Sequence, residues 1–336
     1  MNSIELFKKN APELLDKVYK NVSTTSDFDI NGDLVKAGAN ANEIIIPKLN
    51  MDGLGDYDRN SGYLDGDIEL TNETVKFNYE RGRKLKTDAI DNEETGGVIM
   101  ANLSSEFLRT KVVPEVDAVR YATYASLDNI SDVAPSGIDY ATGDAILSAL
   151  QAAMVQLDND EVPAEDRHLR ITSGLLSLAE NVSKITNNDI LKKFTGIKTV
   201  PNNRFQTKIE LRSGRDSDGE RIGGYKKVAD TYELTKDVAI DATKTYYTKN
   251  GDNYIVVANP DVADISTYYE LIVGSRDINF MIIHKPAMLQ YTKHAKMKIF
   301  TPDQDQDGDF YKMLYRIYGL NDAYENKRAG ILVSHK

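Results

Sequence analysis

The feature that most constrains this chain is a long helical pattern from about Glu94 to Ser126. Apolar residues recur at Ile99, Leu103, Phe107, Val112, Val116 and Val119, and Leu108 fills the one five-residue step. That spacing draws a single stripe down one helix face. Glu106, Arg109, Lys111, Glu115, Asp117 and Arg120 fall mostly on the remaining surface. At about 1.5 Å per residue, thirty-odd residues span roughly 45–50 Å, more than an ordinary globular helix. Pro114 lies inside the pattern, frees the carbonyl of Thr110, and predicts a bend or a split. A rod of this kind is either a core helix or a mechanical spine on which other elements hang.

The flanking sequence decides between the two. At 336 residues the chain can bury a sizeable core and divide into two domains, or one with excursions. Residues 3–22 place Phe7, Ala11, Leu14, Leu15, Val18 and Val22 at helical spacing, with Pro12 near a helix start, and predict a terminal arm. The polar stretch Asn21–Asn31 ends that pattern. Glu43–Pro47 reads as a short strand. A glycine- and aspartate-rich loop follows from Met51 to Tyr63. Asp67–Leu70 and Thr74–Tyr79 alternate with period two, and Lys84–Thr87 continues after a break at Gly82. Together these predict a long ribbon, polar on both sides, that needs a surface to lie on. Nothing nearby in sequence supplies that surface, and a neighbouring subunit could.

Beyond the spine, Asp128–Asp139 reads as a linker, and a β/α alternation then predicts a small mixed domain. Thr142 caps a helix with the stripe Ile146, Leu147, Leu150, Met154 and Leu157. A turn at Asn159–Asp166 leads to a strand, His168–Thr172, and Ser173 caps a second helix to about Asn181. Residues 228–272 have a different composition, rich in tyrosine, with the hairpin turn Asn250-Gly251-Asp252 between two strands. Near-repeats bracket them: Val228-Ala229-Asp230-Thr231-Tyr232-Glu233-Leu234 and Val262-Ala263-Asp264 leading to Thr267-Tyr268-Tyr269-Glu270-Leu271. This predicts an inserted β module. Ile278–Ile283 reads as a buried strand, Pro286 as the start of a helix, and Met297–Phe300, Tyr315–Gly319 and Gly330–Ser334 as closing strands.

Chemistry is harder to find. With no cysteine, disulfides and thiolate catalysis are excluded. Asp303-Gln304-Asp305-Gln306-Asp307-Gly308-Asp309 copies the first half of a calcium loop, but Leu314 stands where a bidentate glutamate belongs, so it reads as a solvated acidic turn. His168, His284, His294 and His335 show no ligand spacing. No nucleophile elbow and no phosphate-binding glycine loop occur, so the residues support no enzyme, no metal site and no cofactor. A net charge of −11 argues against a protein that grips nucleic acid as a whole. No apolar run is long enough to span a membrane, and no secretory leader is evident. What stands out is segregated charge. The basic run Arg81-Gly82-Arg83-Lys84-Leu85-Lys86 reads as a solvated surface, a nucleic-acid contact, or the partner of an acidic counterpart in the loop with Asp52, Asp56, Asp58, Asp65 and Asp67. Such patches suit pairing between copies. Asp56, Asp58, Arg59, Arg81, Arg83, Lys84, Glu106 and Arg109 are the candidate inter-subunit contacts.

The order of parts, together with particular stretches, resembles the major capsid proteins of tailed bacteriophages with the Hong Kong 97-type (Johnson) fold. Ile46-Pro47-Lys48 and Gly53-Leu54-Gly55-Asp56-Tyr57-Asp58-Arg59 look like the start and tip of that family's extended loop. Asp88-Ala89-Ile90-Asp91 with Glu94-Thr95, then Glu106-Phe107 and Val113-Pro114-Glu115-Val116-Asp117-Ala118, look like its spine helix. Val162-Pro163 with Arg167-His168-Leu169, and Val200-Pro201 with Arg204-Phe205, fit its axial domain. Tyr315-Arg316-Ile317-Tyr318-Gly319 with Tyr324-Glu325-Asn326-Lys327 fit its closing strands. The resemblance covers nearly everything except 228–272. It implies an α+β fold with an N-terminal arm (1–41), an E-loop ribbon (42–88), a spine helix (89–127, peripheral domain) and an axial domain (128–227). The inserted small β module (228–272) and a return to the closing peripheral strands (273–336) complete it. It further implies pentamers and hexamers closing into an icosahedral head around double-stranded DNA, assembled in the host cytoplasm. The expected partners are other copies, a separate scaffold protein (no long scaffolding segment precedes the arm), a portal and head-completion proteins, with no membrane. An encapsulin-like compartment sharing the fold, and a surface-binding protein acting through the tyrosine-rich module, are the competing readings.

Overall fold

The strands of this α+β chain, in order, are β1 (Lys36–Ala37), β2 (Glu43–Met51), β3 (Ile68–Lys76), β4 (Tyr79–Asp88), β5 (Ser131–Asp132), β6 (Arg167–Ile171), β7 (Gly196–Thr199), β8 (Ile209–Leu211), β9 (Tyr225–Lys227), β10 (Thr231–Leu234), β11 (Tyr246–Asn250), β12 (Asn253–Val256), β13 (Tyr269–Ile272), β14 (Ile278–His284), β15 (Met288–Phe300), β16 (Phe310–Ala323) and β17 (Ile331–His335). The α-helices are α1 (Val113–Ala125), α2 (Gly143–Asn159) and α3 (Ser173–Thr186). The computed structural model describes residues 23–30, 36–37, 43–57, 59, 62–63, 65–90, 104–133, 137–186, 189–237, 239–241, 244–258, 260–305 and 308–336. The arm helix expected at 3–22, the upper spine with Ile99 and Leu103, and Asp58 lie outside the described residues. The chain divides into two compact units, 1–110 with 288–325 and 111–287 with 326–336.

In the first unit, β1, β2 and β3 form one antiparallel sheet and β15, β16 and β4 another. The long strands β15 and β16 pair from Met288↔Ala323 to Phe300↔Lys312, and β4 adds to β16 along its whole length. This corrects two expectations. Pro286 opens only a short turn, and the stretch after it is strand; pairing with β16 decides a sequence whose periodicity fits either form. Gly82 does not break β4. It lies opposite Arg316, where a Cβ would approach the Tyr315 carbonyl oxygen to 3.0 Å. Part of the polar stretch that ends the arm pattern is anchored on β15. Phe28 is buried, and Gln290 Nε2 donates to the Thr25 carbonyl (2.8 Å) and to Asp29 Oδ1 (2.6 Å).

The second unit is built on the mixed sheet β5-β17-β14-β6-β7. Every residue of β14 is buried. Against the sheet, α2 and α3 close a core of Ile146, Leu150, Leu157, Leu169, Ile171, Phe280, Ile282 and Leu332. The Thr142 hydroxyl accepts from the Ala145 amide and starts α2 where its stripe begins. The expected linker 128–139 contributes β5, parallel to β17. Residues 231–272 form their own sheet, β10-β13-β11-β12, over a separate cluster of Tyr246, Ile265 and Tyr268. The near-repeats turn out to hold partner strands, with Glu233 opposite Glu270 in the β10–β13 pair.

Pro114 predicts a bend or a split, and the chain is not split there: helical backbone runs from 104 to 125, with a widened turn just before the proline. A π-helical segment, Leu108–Val112, runs into α1. A ring that clashes one turn back, and offers no N–H, favours that local widening. The surface expected for Asp117 and Arg120 is corrected: both are buried, at 0% and 1% exposure. Arg204 Nη1 reaches Asp117 Oδ2 at 3.4 Å, and the Phe205 ring meets Tyr121 edge-on. A second layer therefore covers the face that spacing alone assigns to water.

Candidate assembly surface

The ribbon predicted to be polar on both sides has an apolar phase that flips along its length. Near its base Ile44 lies opposite Val75, and both are buried with Leu289 and Leu320 of the same unit. At the base the run Ile44-Ile45-Ile46 puts apolar side chains on both faces, and Ile44 is the buried one; farther out only the Ile45 face stays apolar, at Leu49 and Met51, because an odd step in a strand changes face. Leu49 lies opposite Leu70 and Met51 opposite Ile68, so the four share the other face. They are 59%, 66%, 60% and 71% exposed. Leu54, Tyr57 and Tyr63 at the tip are exposed as well. The basal half has its cover within the chain, and among the described residues the distal half has none. These residues were absent from the sequence-derived contact set, although the three-residue step from Ile46 to Leu49 was visible in the sequence.

Of the eight expected contacts Asp58 lies outside the described residues, and the other seven are not brought together. Asp56 and Arg59 are exposed at the ribbon tip. Arg81, Arg83 and Lys84 belong to β4, in a different sheet, where Lys84 is exposed and the two arginines are half-buried. Glu106 and Arg109 pair with each other on one helical turn at 2.8 Å. The aspartate turn between β15 and β16 uses Asp305 for an ion pair with Lys312, both carboxylate and ammonium being largely buried.

The inserted module presents tyrosines on the face opposite its core. Tyr232 stacks on Tyr254 with ring centres 4.0 Å apart, while Tyr247 and Tyr269 meet that pair edge-on at 5.0 Å each. Ion pairs fasten its neck. Arg276 holds Asp230 through two nitrogens, at 2.8 and 3.1 Å, and Lys227 meets Asp277 at 2.6 Å. The Arg276 guanidinium holds the Asp230 carboxyl below the usual carboxylate range. Among the described residues no group of side chains could hold a metal ion, and no helix is long and apolar enough to cross a membrane.

No protein-family model matches the sequence, and no curated protein matches it. Solved structures do. The capsid structure of the cyanophage P-SCSP1u is 12% identical, with 89% of this chain and 85% of that chain covered and a TM-score of 0.49. The capsid of the Myoviridae phage XM1 is 9% identical, covering 94% and 91%, with a TM-score of 0.46. The capsid structure of Staphylococcus phage Andhra is 10% identical, covering 93% and 84%, with a TM-score of 0.47. All three are described as phage capsid structures. At such identities and overlaps the likeness by itself assigns no family.

Proposed function

We propose that this chain is the major capsid protein of a tailed bacteriophage, a non-enzymatic subunit that assembles into pentamers and hexamers of an icosahedral head around double-stranded DNA. The observation that carries this reading is the exposed apolar half of the β2–β3 ribbon. Leu49, Met51, Ile68 and Leu70 form a continuous strip on an extended hairpin, and a strip of that kind is stable in water when another surface covers it. A subunit whose projecting arm needs a neighbour is built for a lattice. The sequence resemblance to the Hong Kong 97-type capsid family supplies the name, and a long hairpin, β2–β3, followed in sequence by the helix α1 supports its ribbon-then-spine order.

In this reading the hairpin 43–76 is the E-loop. The segment from 104 to 125 is the lower part of the spine, the β4–β16–β15 sheet belongs to the peripheral domain, and the sheet of the second unit belongs to the axial domain. The module at 231–272 projects from the shell as a decoration or host-contact element. A scaffold protein, portal and head-completion proteins are the remaining partners, and the virion capsid is the location.

Electron microscopy of the purified protein after gradient sedimentation, alone and with its neighbouring phage proteins, tests this. Closed angular shells, capsomers or tubes are expected, with DNA inside particles taken from infected cells. A uniform small species under all conditions overturns the assembly reading. Shells filled with a cargo enzyme instead of DNA point to an encapsulin-like compartment.

A further inference from the structure

We infer that the lysine-bearing face of the β4–β16–β15 sheet is a sequence-independent contact for the phosphate backbone of duplex DNA on the inner side of the shell, an inference that rests on the assembly reading above. The register fixes that face. Lys86 lies opposite Lys312, which lies opposite Phe300; Lys84 lies opposite Leu314, which lies opposite Lys298; Gly82 lies opposite Arg316, which lies opposite Lys296. Paired residues share a side and alternation repeats it every second residue, so Lys84, Lys86, Lys296, Lys298 and Arg316 stand together, all of them exposed. Met313, Tyr315 and Ile317 point to the other side and are buried, and there Phe107 meets Tyr315 edge-on with ring centres 5.9 Å apart.

Little on this face is neutralised from within. Glu80 takes Arg316, with Nε to Oε1 at 3.0 Å, and Asp305 takes Lys312. Asp88 stands at the end of β4 and accepts from the Ile90 amide at 3.0 Å. Lys86 sits over the Phe310 ring at 4.5 Å. Lys84, Lys296 and Lys298 have no carboxylate partner among the described residues. Lysines on edge strands discourage edge-to-edge pairing, which accounts for cations on β4 and β15. It does not account for their gathering on one face of a chain whose net charge is −11.

The spacing suits a phosphate backbone. Lys84 and Lys298 are two strand spacings apart, about 10 Å, and the two lysines on each edge strand are roughly 7 Å apart along it. A DNA strand carries one phosphate about every 3.4 Å of helix axis, so two rows of cations on flexible stems flank a short run of phosphates. The same face is unsuited to reading bases. The major groove admits a helix or a two-stranded ribbon, and a three-stranded sheet stays outside it. Arg316, of the residue type that most often pairs with guanine, is already engaged by Glu80. What remains is a set of point charges blind to sequence, which is what a wall needs when any stretch of DNA can lie against it. The net negative charge of the chain as a whole disfavours phosphate elsewhere and confines the contact to this patch.

The test is binding of a short DNA duplex by the full chain, followed by fluorescence anisotropy. From about 50 to 200 mM salt the affinity should fall roughly a hundredfold, a log–log slope of about −3 to −4 for the four lysines. Lys84→Gln with Lys86→Gln, Lys296→Gln and Lys298→Gln should weaken binding more than about tenfold at low salt and flatten the slope, with an unchanged circular dichroism spectrum. Lys193→Gln with Lys236→Gln, Lys249→Gln and Lys285→Gln removes the same charge from exposed positions off this face and should leave binding nearly unchanged. No loss in the first variant, or equal loss in both, overturns the inference and leaves the capsid reading intact. If the first variant misfolds, Lys84→Gln with Lys298→Gln serves, and should reduce the slope by about two. Lysine acylation read by mass spectrometry places the face in the shell. Lys84, Lys296 and Lys298 should react in empty shells and be protected in DNA-filled ones. Protection in both gives the face to a contact between copies, and reaction in both leaves the DNA elsewhere; either result overturns the inference. A wild-type chain that never associates overturns the capsid reading, and the shell side of this inference with it.

Discussion

Arg167 shows how a single charged residue can organise a loop from inside the protein. It is fully buried on β6, and its guanidinium donates to the Pro163 carbonyl at 2.9 Å and to Asp158 Oδ1 at 2.7 Å. It ties down a turn in which Glu161 and Asp166 both have positive φ. Replacing it with Ala removes charge-assisted hydrogen bonds, each of roughly 1.5–3 kcal/mol, so a loss of about 3 kcal/mol in denaturant unfolding is expected. His284 supplies a pH signature. Burial pushes its pKa below the ordinary 6.5, with Arg167 and Lys327 acting in the same direction against Asp166. The unfolded chain therefore takes up the proton first as pH falls. Stability should drop as pH goes below 6.5, and His284→Gln should flatten that part of the pH–stability curve. Asp117 and Arg120 show where pattern reading stops. A helical wheel places them outside the stripe, but Arg204 and Phe205, more than eighty residues away in sequence, bring the second cover.

At the scale of elements, the ribbon divides into two halves with opposite mutational behaviour. Ile44→Ala opens a cavity among Val75, Leu289 and Leu320, and should cost about 2–4 kcal/mol of subunit stability. Leu49→Ser with Ile68→Ser touches only exposed side chains. It should leave unfolding within about 0.5 kcal/mol per site while abolishing shells in sedimentation. The same split explains how far this element was legible. Strands, loop and turn were read from period-two alternation and glycine. That β4 leaves the ribbon to join β16 was not, because a partner more than two hundred residues away leaves no local mark. The helix expected after Pro286 failed for the same reason: Met288–Phe300 is decided by its pairing.

Over the whole molecule, the inserted module is the part whose removal should matter least to assembly. Its entry and exit are adjacent, since the Ser275 amide donates to the Val228 carbonyl at 2.7 Å, and it has its own core. Excising 231–272 and joining the neck should leave shell formation within a few-fold of wild type by gradient sedimentation. Loss of all assembly would instead assign the tyrosine face to a contact between subunits.

The amino-acid order alone determined the α+β class, the helical run that ends at Ala125, the helices α2 and α3 and the strands of the tyrosine-rich stretch. Each of these rests on local periodicity, capping or turn chemistry, which acts over a few residues. The tertiary structure decided what covers each element. Asp117 is inside, Lys84 shares a face with Lys296 and Lys298, and among the described residues nothing lies above Leu49 and Ile68. Burial and charge neighbourhood are sums over residues distant in sequence, and no window along the chain contains them.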